Sequence, residues 1–272
     1  MMGIKQYYEL ARKAKIIIDQ YQKRMDNTYV APGDIVASDH KDAYILGLVN
    51  CLLYTHNYVP GDSYEYNMCK WTILNPFKRN VADIKARNFH EVYAEEFFQA
   101  IWQNKNLEEL KNTLVKLNPN AEKYLVEFEY QGRTRNTLYG PRIHSTLNQV
   151  LEELQENKYT RRAWIQILEN EDNMLLKPIR NKETTLEYPC AVGFGFQIRQ
   201  RQNVDYLDMH VILRSNNLPL TICYDFYNFT RLFEEVYKIL KNTYPNLNVG
   251  VYRHLAVSAH IFEKELELVE KV

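Results

Sequence analysis

The residues best equipped for chemistry lie between Pro189 and Asp225. Cys190 follows Pro189 and opens the run Ala-Val-Gly-Phe-Gly-Phe. Arg214-Ser215-Asn216-Asn217 ends the apolar run from Met209 to Leu213, and Asp225 stands between Tyr224 and Phe226. A lone cysteine usually packs as a small hydrophobe, and Cys190 can be read that way. It can also be read as a nucleophile. A thiolate adds to C6 of a pyrimidine and turns C5 into a carbon nucleophile, provided cationic neighbours hold the thiol pKa down. Arg161-Arg162 and Arg214-Ser215 could supply that field while binding phosphate, because a guanidinium grips phosphate oxygens in pairs and a serine hydroxyl completes the cage. An isolated Arg-Arg is usually a solvated face. Arg214 differs, since a charge that ends an apolar strand tends to have a partner. Asp225 fits a plain helix N-cap. It equally fits a carboxylate that accepts a hydrogen bond from an exocyclic amine, where an amide would serve a 4-oxo group and a ring N–H. His260 could hold a sugar hydroxyl or be an ordinary strand histidine. No H-x-x-x-H spacing occurs among the seven histidines, so no metal centre is expected.

Composition narrows the class. The 272 residues are 46% hydrophobic and 25% charged, the balance of a globular protein that can bury a sizeable core. Lys+Arg and Asp+Glu are both 34, so no bulk field draws in nucleic acid or an anionic membrane. No signal peptide is visible, and no apolar run approaches the roughly 20 residues of a bilayer span. Cysteines at 51, 69, 190 and 223 form no Cys-x-x-Cys pair. A cytoplasmic, reducing setting is therefore expected, which would keep a cysteine nucleophile free.

The elements that must position these residues read as a single α+β domain, with helices flanking a mixed sheet. Residues 4–25 form an amphipathic helix and 26–45 a polar loop containing Pro32-Gly33, so 1–45 is an N-terminal helical extension. An apolar segment follows from Ala43 to Tyr54, then a strand from Tyr64 to Ile73. Helical spacing marks 84–104, which carries Glu91, Glu95 and Glu96, and 144–158. Strand-like runs cover 163–168, 190–199 and 206–213, and a last long helix covers 226–241.

In this order the motifs resemble the thymidylate synthase and deoxycytidylate hydroxymethylase superfamily. Its Tyr-Gly, Ser-Arg-Arg, Pro-Cys, Arg-Ser-x-Asp and His-x-Tyr segments are matched by Tyr139-Gly140, Thr160-Arg161-Arg162, Pro189-Cys190, Arg214-Ser215-Asn216-Asn217 and His260-Ile261-Phe262. The resemblance covers roughly residues 84–264. It implies a sheet-mediated homodimer in which Cys190 attacks C6 and Arg214 and Ser215 bind the 5′-phosphate. Arg161 and Arg162 would reach the phosphate of the partner subunit, and His260 would hold the sugar. Tyr139 would join the proton network near C5, and Glu96 would organise water and protonation. The family's base reader stands eleven residues after the arginine of Arg-Ser, which lands on Asp225. Thymidylate synthases carry Asn there and deoxycytidylate hydroxymethylases Asp. Aligning instead on Leu218-Pro219-Leu220-Thr221 would put Thr221 at the reader position.

Four departures stand against the family pattern: Asn217 for aspartate, Phe262 for tyrosine, Ala191 for the histidine after the cysteine, and an end twelve residues past His260, short of the folate-closing tail. The resemblance implies a hydroxymethyltransferase that takes dCMP to 5-hydroxymethyl-dCMP with 5,10-methylenetetrahydrofolate. A dUMP methylase or hydroxymethylase, with Asp225 merely a helix cap, is the alternative within the family. A nucleotide-binding scaffold without folate chemistry is the third reading.

Overall fold

The computed structural model describes residues 2–23, 27–55, 57–123 and 125–272. In chain order these form α1 (Met2–Gln22), β1 (Tyr29–Ala31), β2 (Asp34–Ala37), α2 (His40–Tyr54), β3 (Asn57–Val59), β4 (Ser63–Ile73), α3 (Glu91–Trp102), α4 (Leu107–Leu110), β5 (Phe128–Tyr130) and β6 (Arg133–Arg135). They continue with α5 (Tyr139–His144), α6 (Leu147–Glu156), β7 (Trp164–Gln166), α7 (Leu176–Arg180), β8 (Ala191–Arg201), β9 (Val204–Asn217), α8 (Ile222–Thr243), β10 (Asn248–Phe262) and α9 (Leu266–Lys271).

One mixed sheet runs in the order β1-β2-β4-β10-β9-β8-β7, with β3 paired to β4. β10 is parallel to β9 and antiparallel to β4, and β8 is antiparallel to β9. Along these strands alternate side chains enter the core: Trp71 and Ile73, Tyr252 and Ala256, Met209 and Val211, Phe194 and Phe196 are all at most 2% exposed. Burying each large side chain contributes roughly 1.5–3 kcal/mol. α2 and α8 cover this face, where Trp71 donates its indole N–H to the Ala43 carbonyl at 3.1 Å and meets Phe226 edge-on. Positions of the opposite register, Val251, Leu255 and Val257 on β10 and Ile212 on β9, are left half-buried or exposed. At the β7 edge Trp164 lies flat over Gly193 and Gly195. A Cβ at either glycine would sit 2.6 Å from its nearest neighbour, the Ile165 carbonyl or the Trp164 ring.

Three differences from the sequence reading have physical causes. Residues 26–45, read as loop, supply β1 and β2 around the Pro32-Gly33 turn, and β2 joins the main sheet parallel to β4. The strands are only 3 and 4 residues long, too short for alternation to register. (Residues 24–26 lie outside the described part of the chain.) The helix read over 84–104 begins only at Glu91. Asn88 takes a left-handed conformation at φ 49° after a short 3-10 turn, and His90 Nδ1 caps α3 by accepting from the Tyr93 N–H at 3.0 Å. β10, the sheet's central strand, carries little apolar alternation in sequence. Its buried face includes His254 and His260, residue types that blur an apolar alternation.

Candidate active site

Cys190 lies one residue before β8, where Arg214 of β9 crosses it. The Arg214 backbone N–H donates to the Cys190 carbonyl at 2.8 Å. Its side chain donates from Nε to the Pro189 carbonyl and from Nη2 to the Tyr188 carbonyl, both at 2.9 Å. The guanidinium carbon stands 4.9 Å from the centre of the Tyr188 ring, and Nη2 lies 3.8 Å from Cys190 Sγ. Nε and Nη2 thus hold the guanidinium against the cysteine segment, which leaves the Nη1 donors for an anion. Burial pushes the Cys190 thiol up to about 11. Arg214 opposes this, while Asp225 and Glu187 add to it. The resting group is a thiol, and more positive charge is needed to make it a thiolate.

Tyr139 opens α5, and its hydroxyl accepts from the Ala191 N–H at 3.2 Å. Burial, with Cys190 and Asp225 nearby, raises the phenol well above its ordinary value, so it keeps its proton. Asp225 sits one turn inside α8, whose N-cap position is Thr221, so capping does not account for it. Asn216 donates from Nδ2 to Asp225 Oδ2 at 2.7 Å. Burial raises the Asp225 carboxyl to about 7 against the opposing pull of Asn216. Thr221, the other candidate base reader, accepts from the same Asn216 Nδ2 at 3.3 Å, so both alignments lead to one place.

Of these groups, Tyr139 and Cys190 border a cavity of about 230 Å³. Its walls are mostly apolar (Phe97, Ile101, Leu110, Leu125, Leu138), with Tyr139 and Cys190 in the lining and Lys105 and Glu187 as its charged members. A pocket of about 20 Å³ shares Phe97, Ile101 and Tyr139 with it and reaches Asp225. Cys190, Arg214, Tyr139 and Asp225 therefore converge. A flat ring lying on Cys190 would have a cation, a neutral phenol and a carboxylate around it.

The remaining sequence candidates are distributed differently. Ser215 is half-buried in β9, opposite Ser258. Asn217 donates to both carboxylate oxygens of Glu265, at 3.0 and 2.9 Å, and accepts from the Leu220 N–H at 2.8 Å. It ties β9 to the segment after β10. His260 is buried beside Phe262, with ring centres 4.8 Å apart, and burial lowers its pKa. Glu96 is half-buried on α3, but Phe97, Ala100 and Ile101 are the α3 residues that line the cavity. Its neighbour Glu95 bonds Arg231 at 3.0 Å and accepts from the Tyr227 hydroxyl at 2.9 Å. These partners outweigh burial and hold its carboxyl at about 2. Arg161 and Arg162 are exposed and line neither part of the cavity. Arg161 borders a separate pocket with Trp164 and His210, and Arg162 approaches Glu153 at 3.9 Å. Asn216 went unnoticed in sequence because it fills the free position of Arg-Ser-x-Asp. A buried amide in the strand that ends with the clamp is the signal that could have found it.

Among the described residues no helix is long and apolar enough to cross a membrane. No curated protein matches the chain. The family model of thymidylate synthase matches residues 86–272, more than half of the chain, a span that takes in every group around the cavity. That span holds Tyr139, Cys190, Arg214 and Asp225, and by this match the chain belongs to the thymidylate synthase family, whose members transfer one-carbon units to C5 of pyrimidine nucleotides.

Proposed function

We propose that this protein hydroxymethylates dCMP at C5. The observation that carries the choice of base is Asp225, a carboxylate that capping does not explain, at the end of the pocket shared with Tyr139. A carboxylate accepts the exocyclic N–H of cytosine, whereas uracil presents an oxo group there and leaves the acceptor facing another acceptor. Arg214 and Ser215 take the 5′-phosphate and His260 the sugar. Cys190 Sγ adds to C6, losing its proton as Arg214 and the arginines described below outweigh its burial. C5 then becomes nucleophilic and attacks the one-carbon unit. Tyr139 holds its proton close to C5 and hydrogen-bonds the water that exchanges protons there. Loss of the C5 proton, with departure of the amine that carried the one-carbon unit, leaves an exocyclic methylene on the ring. Water adds to that methylene, and expulsion of the Cys190 thiolate restores the C5–C6 double bond.

The apolar cavity beside Cys190 fits the flat ring of a folate, with Phe97 and Leu138 against its faces and Lys105 available to an anionic tail. When bound there, 5,10-methylenetetrahydrofolate supplies the methylene carbon. The uncovered apolar positions Ile212, Val251, Leu255 and Val257 fit a homodimer formed sheet to sheet. In such a dimer the exposed Arg161 and Arg162 of each subunit are free to reach the other's phosphate, bringing the cations that a single chain's cavity lacks.

The test is tritium release from C5-labelled dCMP and dUMP, with and without methylenetetrahydrofolate. Folate-dependent release from dCMP alone is expected. Release from dUMP alone would transfer the activity to uracil. Nucleotide binding without any release would leave a scaffold.

A further inference from the structure

Behind Asp225 the core contains a chain of polar groups whose protons all point one way. Asn216 uses both amide hydrogens, donating to Asp225 Oδ2 at 2.7 Å and to Thr221 Oγ1 at 3.3 Å. Thr221 gives its own proton to the Asn217 carbonyl at 3.0 Å, so it offers Asn216 only lone pairs, as an ionised carboxylate also does. The amide is thereby oriented, and its Oδ1 faces His254 Nε2 at 3.0 Å. An amide oxygen can only accept, so Nε2 carries the imidazole proton. Nδ1 is then the bare nitrogen, and it accepts from the Tyr252 hydroxyl at 2.8 Å. Tyr252 and His254 are fully buried and Asn216 is 2% exposed. Burial keeps His254 neutral, with its pKa lowered to about 3. Trp71 and Phe226 meet the imidazole edge-to-face at 5.6 and 5.1 Å and hold its plane. Among the described residues Asp225 Oδ1 has no hydrogen-bond partner, and the residue lines the pocket beside Tyr139.

We infer that Asn216, His254 and Tyr252 are positioning residues that set the base preference of the site, by presenting Asp225 as a hydrogen-bond acceptor whose free oxygen takes an exocyclic amine. The inference rests on Asp225 being the base reader. Each link enforces the next. Without the Tyr252 hydroxyl, the imidazole is free to carry its proton on Nδ1, Nε2 becomes an acceptor, and the Asn216 amide turns over. Asp225 then faces an amide oxygen and must hold a proton to bond it. That single proton is spent at Oδ2, and Oδ1 is left as the carbonyl of a neutral acid, a weaker acceptor for an exocyclic amine than a carboxylate oxygen. The relay therefore favours cytosine, and breaking it far from the ligand moves the preference toward uracil.

The experiment measures dissociation constants for dCMP and dUMP in the full chain and in Tyr252→Phe, Asn216→Asp and Asp225→Asn, alongside the ¹⁵N shifts of the His254 ring in ligand-free protein. The Nε2–H tautomer is expected in the unaltered protein. Tyr252→Phe, which removes one oxygen from a packed ring, should lower the dCMP-over-dUMP preference about tenfold, the worth of one buried hydrogen bond. Asn216→Asp, which places two acceptors face to face, should lower it at least as far, and it stands in if Tyr252→Phe does not fold. A merely structural role would weaken both nucleotides equally and leave the ratio untouched. An Nδ1–H tautomer, or an unchanged ratio in both variants while Asp225→Asn shifts it, overturns the relay alone. An unchanged ratio in Asp225→Asn removes the base reader, and the relay's role with it.

Discussion

The cavity has two unlike walls. One is residues 187–190, the segment leading into β8, backed by Arg214 of β9 and Asp225 in the first turn of α8, and there the polar groups are held by their neighbours. Arg214 is tied to the carbonyls of Pro189, Tyr188 and Cys190, and Asp225 to Asn216. The other wall is built by α3 and residues between 105 and 141, and it is mostly apolar. The acidic residue of α3 with the strongest partners, Glu95, turns toward Arg231 and Tyr227 on α8, away from the ring site. The side around Arg214 and Asp225 is thus pre-organised by hydrogen bonds, and the α3 side is shaped by packing. Preorganisation of the first kind suits a ligand with fixed polar edges, and an apolar slot suits a flat ring held by area.

The comparison is broken most sharply at Cys190. Cys190→Ala should reduce turnover by roughly 10⁴-fold or more while nucleotide affinity changes little, because the nucleophile is lost and the clamp stays. Retained turnover in steady-state assays would end its assignment. Arg214→Lys comes next. Lysine keeps the charge but cannot span two backbone carbonyls and a phosphate together, so nucleotide affinity should fall roughly 10–100-fold by calorimetry. An effect no larger than twofold would mean that the fork is not the clamp.

Asp225 sharpens the comparison through pH. Its carboxyl is raised to about 7 from the usual value near 4, chiefly by burial. A raised acid stabilises the fold fully below the unfolded value and loses that contribution as pH rises through the folded one. The unaltered protein should therefore melt at progressively lower temperature, relative to Asp225→Asn, between pH about 4 and about 7. Parallel melting curves across that window would show that the group ionises freely. The smallest effect is expected on the apolar wall. Glu96→Gln should change turnover less than about threefold, since its neighbour Phe97 faces the cavity. Phe97→Ala should mainly raise the folate KM. A loss at Glu96 rivalling that at Cys190 would make the two walls chemically alike.

The same contrast governs what could be read from the chain. Pro189-Cys190 and Arg214-Ser215 were legible because adjacent paired strands deliver motif residues to one place once the register is set. Glu96 rests on the resemblance to the family and lies on a helix, where each residue turns the side chain by about 100°. There a one-residue difference separates a carboxylate from the ring of Phe97. The Arg161-Arg162 pair was legible as a motif, but in the single chain it stands exposed, outside both parts of the cavity. The N-terminal loop reading failed because β1 and β2 gain their partners only through the sheet.

By itself the sequence determined the α+β class, the family, and the residue types that stand at positions 190, 214 and 225. These follow from residue chemistry and order along the chain. The tertiary structure alone decided that Asp225 lies one turn inside α8, that Phe97 and not Glu96 lines the cavity, and that Asn216, His254 and Tyr252 stand behind Asp225. Those facts depend on helix rotation and on hydrogen bonds between residues distant in the chain, as from His254 to Asn216 across 38 positions, and no local pattern along the chain encodes them.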